Sequence, residues 1–453
     1  MGSARLPAEH VDASPLGKPL HFEFADKTAP NRFMKAAMAE QLSTWDPKEL
    51  SKRGIPTANL INVYRRWGEG ALGMVLTGNI MIDYDQLVAA GNLIIPQDAT
   101  FEGERFEAFK ELAAQTKKYG MLFVGQVSHP GRQADSRIQP NPVSASDVHL
   151  EGTVLGTQFA KPHPASQEEI DNIIDGFTHA AEFLYKAGFD GIQLHGAHGY
   201  LLAQFLSSTT NKRTDKYGGS LANRSRIILE IAKSIRAKLP TSTGFILGIK
   251  LNSVEFQAGG FSVEECRDLC SSLENEGQFD FVELSGGTYQ SLAFSHQRES
   301  TKKREAFFLE FADTITPALT RTRTYVTGGL RTVAGMVKAL ESVDGVGLAR
   351  PVCQEPSLAK SMLEGRVASA LDQKIDQQDF GLTNLAAGAQ MRQVGKDQQP
   401  IDLSRQENVD AFYRDMETWN KKMAEDGPRM SLYGYVDIVS QEASPYGSAA
   451  GAA

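Results

Sequence analysis

The chain has 453 residues, of which 41% are hydrophobic and 23% are charged, close to the usage of an ordinary globular protein. Its formal net charge of −8 disfavours nucleic acid and anionic membrane surfaces as partners. The sequence contains no run of about 18 apolar residues, the length that is needed to cross a bilayer. Residues 1–15 carry no apolar signal-peptide core. The three cysteines are few, which favours a reducing compartment and a cytoplasmic location.

Short apolar segments alternate with helical segments along most of the chain. The apolar runs are nearly continuous, as in Met74-Val75-Leu76, which is typical of strands buried on both faces. Strands are predicted at residues 31–38, 73–82, 121–128, 189–195, 245–252, 279–286, 324–329 and 344–350. Helices are predicted at residues 58–70, 101–119, 168–187, 221–239, 262–276, 305–319, 333–341 and 356–363.

A strand followed by a helix, eight times over, predicts an α/β fold, a closed TIM (β/α)8 barrel spanning residues 16–365. The structural rival is an open doubly wound sheet, which usually carries a G-x-G-x-x-G turn after its first strand. No such turn is present there. Cys266 and Cys270 are four residues apart in a predicted helix, so they are expected to be small buried residues on one face.

Two regions do not fit the repeat. Residues 130–166 follow the third strand and are polar and dotted with Pro and Gly, so we expect a lid over the C-terminal mouth of the barrel. Residues 366–453 form a C-terminal extension with one amphipathic stretch at residues 409–423. We expect the extension to pack on the barrel or on another subunit.

Glycine and arginine residues at the last two strand ends predict a phosphate site. Gly328 and Gly329 follow the seventh strand, where their backbone amides can approach an oxyanion closely. Loops after strands seven and eight commonly bind phosphate in this fold, and Arg350 can add a bidentate contact. The alternative is that the two glycines only form a tight turn.

A pair of histidines, His195 and His198, follows the fourth strand. The pair could bind a metal, could be structural, or could donate hydrogen bonds to a carbonyl or similar acceptor oxygen. Zinc would need a third ligand, and the other strand ends offer no obvious carboxylate or cysteine, so we favour the acceptor oxygen. Tyr200 lies on the same loop and could supply a proton through its phenol.

These residues lie in motifs that resemble the Old Yellow Enzyme family of FMN-dependent ene-reductases. The strongest segments are HGAHGYLLAQFLS at residues 195–207 and NKRTDKYGGSLANR at residues 211–224. Supporting matches are Asn31-Arg32, Gly125-Gln126, HPGR at residues 129–132 and residues 345–350. The resemblance spans residues 16–365 and leaves the C-terminal extension uncovered.

The resemblance implies how FMN is held. The isoalloxazine would be lined by residues of the first three strand ends, namely Ala37, Met38, Gly78 and Gln126, with Gln126 on its pyrimidine edge. Lys250 stands where the family places a basic residue, often Arg, beside N1 and C2=O, where a cation stabilises reduced flavin. The phosphate would be held by Gly328, Gly329, Ala349 and Arg350.

The resemblance also implies the reaction. His195 and His198 would grip the carbonyl or nitro oxygen of an activated alkene, flavin N5 would deliver hydride to the β carbon, and Tyr200 would protonate the α carbon. NAD(P)H would reduce the flavin first. Expected partners are therefore NAD(P)H and a small-molecule alkene, without nucleic acid or membrane and with a homo-oligomer left open.

Ala39 departs from the family, which often has Thr or Cys there beside flavin O4. Because a hydrogen-bond donor at O4 favours reduced flavin, its absence is expected to lower the potential. Ala39 therefore leaves an alternative function open, namely a barrel that binds FMN but isomerises its substrate or does not turn over. A metal-dependent hydrolase using the histidines is a second alternative. The Cys-rich iron–sulfur motif and second nucleotide domain of dienoyl-CoA reductases are absent.

Overall fold

Eight parallel strands pair edge to edge to form the centre of the molecule. The structure, a computed structural model, describes residues 4–154, 156–253, 255, 259–285 and 309–448. The strands are β1 (Phe33–Lys35), β2 (Met74–Met81), β3 (Leu122–Ser128), β4 (Gly191–Gly196), β5 (Ile246–Asn252), β6 (Phe281–Ser285), β7 (Arg323–Thr327) and β8 (Gly345–Leu348). Each strand pairs with the next along the chain, and β8 pairs with β1, so the sheet closes into the predicted barrel.

The helices lie between the strands, as the repeat predicts. They are α1 (Ala58–Gly68), α2 (Gly103–Lys117), α3 (Gln167–Lys186), α4 (Arg226–Lys238), α5 (Val263–Asn275), α6 (Leu309–Ile315), α7 (Val333–Ala339) and α8 (Leu358–Leu363), with short additional helices at Leu201–Leu206, Leu221–Arg224 and Pro351–Gln354. Capping boxes at Ser166 and Ser262 fix where α3 and α5 begin. Cys266 and Cys270 are both buried on α5.

Most predicted elements differ from the structure by a few residues at their ends, and two predictions differ more substantially. The predicted helix 221–239 is two helices, because it is interrupted at Ser225, whose hydroxyl donates to the carbonyl oxygen of Leu221. The predicted first strand, 31–38, pairs only over Phe33–Lys35, and the chain beyond it leaves the sheet. Residues 305–308 of the sixth predicted helix and Gly286 of the sixth predicted strand lie outside the described residues.

An N-terminal hairpin closes one end of the barrel. Its strands, Leu20–Phe22 and Lys27–Ala29, are antiparallel. The fully buried ring of Phe22 lies 6.0 Å from that of Phe281, in a cluster with the first residues of several barrel strands. Because this end is filled, an open site is left at the C-terminal ends of the strands, where TIM barrels place their chemistry.

The C-terminal extension folds back on the barrel of its own chain. It contains α9 (Phe380–Gly395), which was not predicted, and α10 (Gln406–Asp426), which includes the predicted amphipathic stretch. The Asn62 side chain of α1 donates to the carbonyl oxygen of Val394 at 3.0 Å. The described part of the insertion after β3 contains a 3-10 helix at Gly131–Gln133 and short strands at Val143–Ser144, Thr153–Val154, Thr157–Gln158 and His163–Pro164. No described helix has both the length and the apolar character of a membrane span.

Candidate active site

One cavity of about 840 Å³ opens at the C-terminal ends of the barrel strands. It is lined by all the residues predicted for the site except Gly78, namely Ala37, Met38, Ala39, Gln126, His195, His198, Tyr200, Lys250, Gly328, Gly329, Ala349 and Arg350. The fold thus brings together residues from six strand ends, the first and last of which lie more than 300 positions apart in sequence.

Gly78 lies behind the wall rather than on the cavity surface. Its backbone N–H donates to Glu40 Oε1 at 2.8 Å and to the hydroxyl of Tyr64 at 2.9 Å. A Cβ atom at this position would come within 2.3 Å of the Met38 carbonyl oxygen, so a larger residue would push that part of the wall into the cavity. Glycine therefore keeps the wall at Met38 in place.

The buried His195 and the half-buried His198 lie together on one side of the cavity. The ring of His195 lies 5.3 Å from that of His198 and 4.5 Å from that of Tyr200, measured between centroids. His198 has a left-handed backbone, with φ of 56°, and its Nε2 lies 2.9 Å from the Ser285 hydroxyl. This turn brings both imidazoles and the phenol to one face.

Both imidazoles are neutral at neutral pH. Burial, reinforced by the positive charge of Lys250, holds the pKa of His195 and of His198 well below the usual value. The N–H of Ala197 makes a long hydrogen bond of 3.4 Å to Nδ1 of His195, which favours the tautomer of neutral His195 that carries its proton on Nε2. His195 can therefore donate one hydrogen bond to a substrate oxygen while adding no charge.

The opposite end of the cavity suits a phosphate. Gly328 and Gly329 line the cavity and have φ of 147° and 75°, conformations that favour glycine. The Arg350 guanidinium donates to the Thr383 hydroxyl and lies 5.9 Å from the centre of the Phe380 ring, so α9 of the extension supports it. The buried hydroxyl of Thr327 has no hydrogen-bond partner within the described part of the chain.

FMN fits this donor set. The cavity has room for a tricyclic ring, with a cationic side chain, Lys250, at one position and glycine amides and Arg350 at another. The unpartnered Thr327 hydroxyl and the backbone amides of the two glycines are groups that an anionic phosphate would satisfy. In the described ranges, no three His, Cys, Asp or Glu side chains gather in a way that could hold a metal ion.

The extension supplies cavity walls that the sequence analysis did not assign. Trp419, Met423, Met430, Tyr433 and Tyr435 line the cavity, as do Val154 and Phe159 of the predicted lid. The segment is anchored to the loop after β1 by two hydrogen bonds. The Trp45 indole donates to the backbone carbonyl oxygen of Met430 at 2.8 Å, and the Tyr433 hydroxyl donates to the backbone carbonyl oxygen of Ser43 at 3.1 Å. The aromatic run Tyr433-Gly434-Tyr435 was the signal available in the sequence.

Comparison with known proteins agrees with this geometry. Residues 15–367 match the profile of the NADH:flavin oxidoreductase / NADH oxidase family. The chain is 52% identical over 418 residues to the NADH-dependent flavin oxidoreductase nadA of Aspergillus parasiticus, covering 92% of this chain and 94% of that protein. This alignment is longer than the profile match, so it takes in part of the extension.

Two further proteins extend the comparison. The chain is 35% identical over 358 residues to the NADH-dependent flavin oxidoreductase iccE of Talaromyces variabilis, covering 74% of this chain and 83% of that protein. The solved Old Yellow Enzyme homologue of Zymomonas mobilis has the same fold, with a TM-score of 0.64 and 21% identity, covering 81% of this chain and 98% of that one. The resemblance stated from the motifs is thus confirmed, together with FMN as cofactor and NAD(P)H as reductant. The chain belongs to the NADH:flavin oxidoreductase / NADH oxidase family, which is the Old Yellow Enzyme family.

Proposed function

We propose that this flavin oxidoreductase reduces the C=C bond of activated alkenes such as enones and nitroalkenes. The observation that supports the proposal is the convergence of His195, His198 and Tyr200 on one face of a cavity that also holds Lys250. Neutral donors and a phenol together suit an acceptor oxygen and an adjacent carbon that needs a proton.

In this proposal FMN lies along the ends of β1, β3 and β5. Ala37, Met38 and Ala39 contact one part of the ring, Gln126 and Lys250 face its pyrimidine edge, and Gly328, Gly329, Ala349 and Arg350 hold its phosphate. Bound FMN supplies the two-electron hydride chemistry, which NAD(P)H replenishes.

The protein's own residues bind and polarise the alkene. His195 and His198 donate to its carbonyl or nitro oxygen, which draws electron density from the β carbon and stabilises the negative charge that develops on that oxygen. The phenol of Tyr200 then gives its proton to the α carbon. Lys250, which lines the cavity, supplies positive charge at the pyrimidine edge of the flavin.

The cofactor is the first test. The protein should purify yellow and release FMN, without a covalent link, when it is denatured. Anaerobic NADH or NADPH should bleach the flavin absorbance, and an enone or nitroalkene should restore it while the reduced alkene appears. Protein that stays colourless after incubation with FMN would contradict the central claim. Bleaching without reoxidation by any alkene would favour a barrel that isomerises its substrate or does not turn over.

Replacement of Tyr200 with Phe tests the proton donor. We expect normal reduction by NAD(P)H but about 100-fold slower reoxidation by weakly activated enones, since general acid catalysis typically contributes at least that much. Nitroalkenes serve as the internal control, because their anions need no concerted proton and should be reduced at nearly the original rate. Stopped-flow measurement of both half-reactions decides. An unchanged enone rate would mean that water or another group supplies the proton.

A further inference from the structure

Four buried side chains at and behind the cavity wall are linked to one another by hydrogen bonds and an ion pair. Nε2 of Gln126 donates to Oε1 of Gln193 at 2.7 Å, and Nε2 of Gln193 donates to Oε2 of Glu283 at 2.7 Å. Nζ of Lys250 lies 3.0 Å from the other oxygen, Oε1 of Glu283. Gln126 and Lys250 line the cavity, whereas Gln193 and Glu283 are fully buried behind it.

Barrel register places these residues side by side. Gln193 is paired with Gln126 across β4 and β3, and Lys250 is paired with Glu283 across β5 and β6. The four side chains therefore come from adjacent strands near one level of the barrel, above the apolar cluster that contains Phe22 and Phe281. Nothing in the proposed reaction uses Gln193 or Glu283 directly, and a buried carboxylate is costly unless its partners compensate it.

The carboxylate fixes the direction of the whole amide chain. An ionised Glu283 can only accept, so Gln193 must turn its NH₂ group towards it and its carbonyl oxygen towards Gln126. Gln126 must then give its NH₂ group to Gln193, which leaves its own carbonyl oxygen for the cavity. A flavin pyrimidine ring carries one N–H donor, N3–H, and an acceptor is what that group requires.

The same carboxylate governs the charge at the cavity. Lys250 is almost completely buried, and its ammonium group forms an ion pair with Glu283. The ion pair has no net charge, so the positive potential it projects into the cavity is weaker than that of a lysine alone. Lys250 and Gln126 are the two groups proposed to face the pyrimidine edge, and Glu283 contacts one of them and orients the other.

We propose that Glu283 is a positioning residue that sets the reduction potential of FMN by compensating Lys250 and by aiming the Gln126 carbonyl oxygen into the cavity. The inference rests on the proposed placement of FMN. Reduction puts negative charge on N1 and C2=O of the flavin, so a compensated lysine stabilises reduced FMN less than a free one. Glu283 therefore keeps the bound flavin a stronger hydride donor.

Glu283→Gln tests the charge. The substitution preserves shape and can still accept from Gln193, but it leaves Lys250 uncompensated. We expect the holoenzyme to bind reduced FMN at least tenfold more tightly relative to oxidised FMN, a rise in the two-electron potential of about 30 mV. Spectroelectrochemical titration measures this directly. Glu283→Asp keeps the charge and should restore the potential towards that of the original protein.

Asp280→Asn is the matched control. Asp280 is a fully buried carboxylate just before β6, but it pairs with Arg236 at 2.9 Å at the closed end of the barrel. Its loss should lower the melting temperature without moving the potential. Equal potentials in the original protein and in Glu283→Gln would overturn the inference while leaving FMN binding intact. Absence of FMN from the original protein would instead overturn the proposed function.

Gln193→Leu tests the amide chain separately and serves if Glu283→Gln does not fold. It cuts the link to Gln126 while Lys250 and Glu283 keep their ion pair. We expect about tenfold weaker binding of oxidised FMN, the worth of roughly one hydrogen bond. Unchanged affinity for FMN in this variant would overturn the role of Glu283 in orienting Gln126.

Discussion

Replacing His195 and His198 together with alanine is expected to abolish the binding of phenolic ligands to the oxidised enzyme. Each hydrogen bond to an anionic oxygen contributes about 1.5–3 kcal/mol, so losing both weakens binding by roughly 10² to 10⁴-fold. The long-wavelength charge-transfer band that a phenolate gives with oxidised flavin should disappear at accessible ligand concentrations. Titration followed by visible absorbance checks this.

FMN content provides the control for the double replacement. In the proposed placement the pair faces the substrate, so the variant should keep its flavin and its reduction potential near the original values. His163→Ala is a matched single replacement, because that imidazole lies in the insertion and bonds to Glu169 at 2.7 Å. Loss of FMN from the double variant would show that the pair is structural.

The pH dependence gives an independent test of the same pair. Because burial and the charge of Lys250 hold the pKa of each imidazole well below its usual value, both stay neutral at neutral and alkaline pH. Ligand affinity between pH 6 and 9 should therefore follow only the ionisation of the phenol, rising as phenolate forms. An additional rise in affinity as pH falls through about 6.5 would mean that an imidazolium forms with an ordinary pKa.

The barrel could be predicted from the sequence because its signal is local and repeated. Most strands are runs such as Ile246–Asn252, all of it buried, and a helix follows each strand along the chain. The strand ends then follow from topology, since parallel strands deliver their C-terminal residues to one mouth. That is why His195, Lys250 and Arg350, far apart in sequence, could be assigned to one site.

The extension could not be predicted in the same way. Helix α9 contains the glycine Gly388, which packs so closely on the ring of Tyr435 that an added Cβ would lie 2.0 Å from it. It is defined by such long-range contacts more than by an apolar stripe. Its role at Arg350, through Thr383 and Phe380, depends on contacts between residues about 30 positions apart.

The two buried residues behind the cavity wall, Gln193 and Glu283, were not predicted from the sequence for a different reason. Gln193 and Glu283 occur within apolar strand segments, where the alternation of side chains does not say which polar residue reaches which neighbour. Their meeting depends on the register between β4, β5 and β6, which the sequence of one strand does not carry. The residues that line the cavity could be recognised at the strand ends, whereas the buried residues that contact them from behind could not.

Arg350→Met is expected to weaken FMN binding by about ten- to a hundredfold. The substitution removes the guanidinium and with it a charge-assisted contact to the phosphate that contributes about 1.5–3 kcal/mol, while methionine keeps most of the packing against Phe380. Fluorescence titration of the deflavinated protein measures the affinity. Arg137→Met is the matched control, because Arg137 also lines the cavity but pairs with Asp135 at 2.6 Å in the insertion.

Riboflavin separates the phosphate contact from a general loss of the site. It has the same ring system as FMN but no phosphate, so it should bind equally to the original protein and to Arg350→Met. The affinity of Thr383→Val for FMN should lie between those of the original protein and Arg350→Met, because this substitution removes the hydroxyl that accepts from Arg350 but keeps the charge of Arg350. If riboflavin weakened as much as FMN in Arg350→Met, Arg350 would support the ring pocket, and the phosphate would have to be held elsewhere, first by the amides of Gly328 and Gly329.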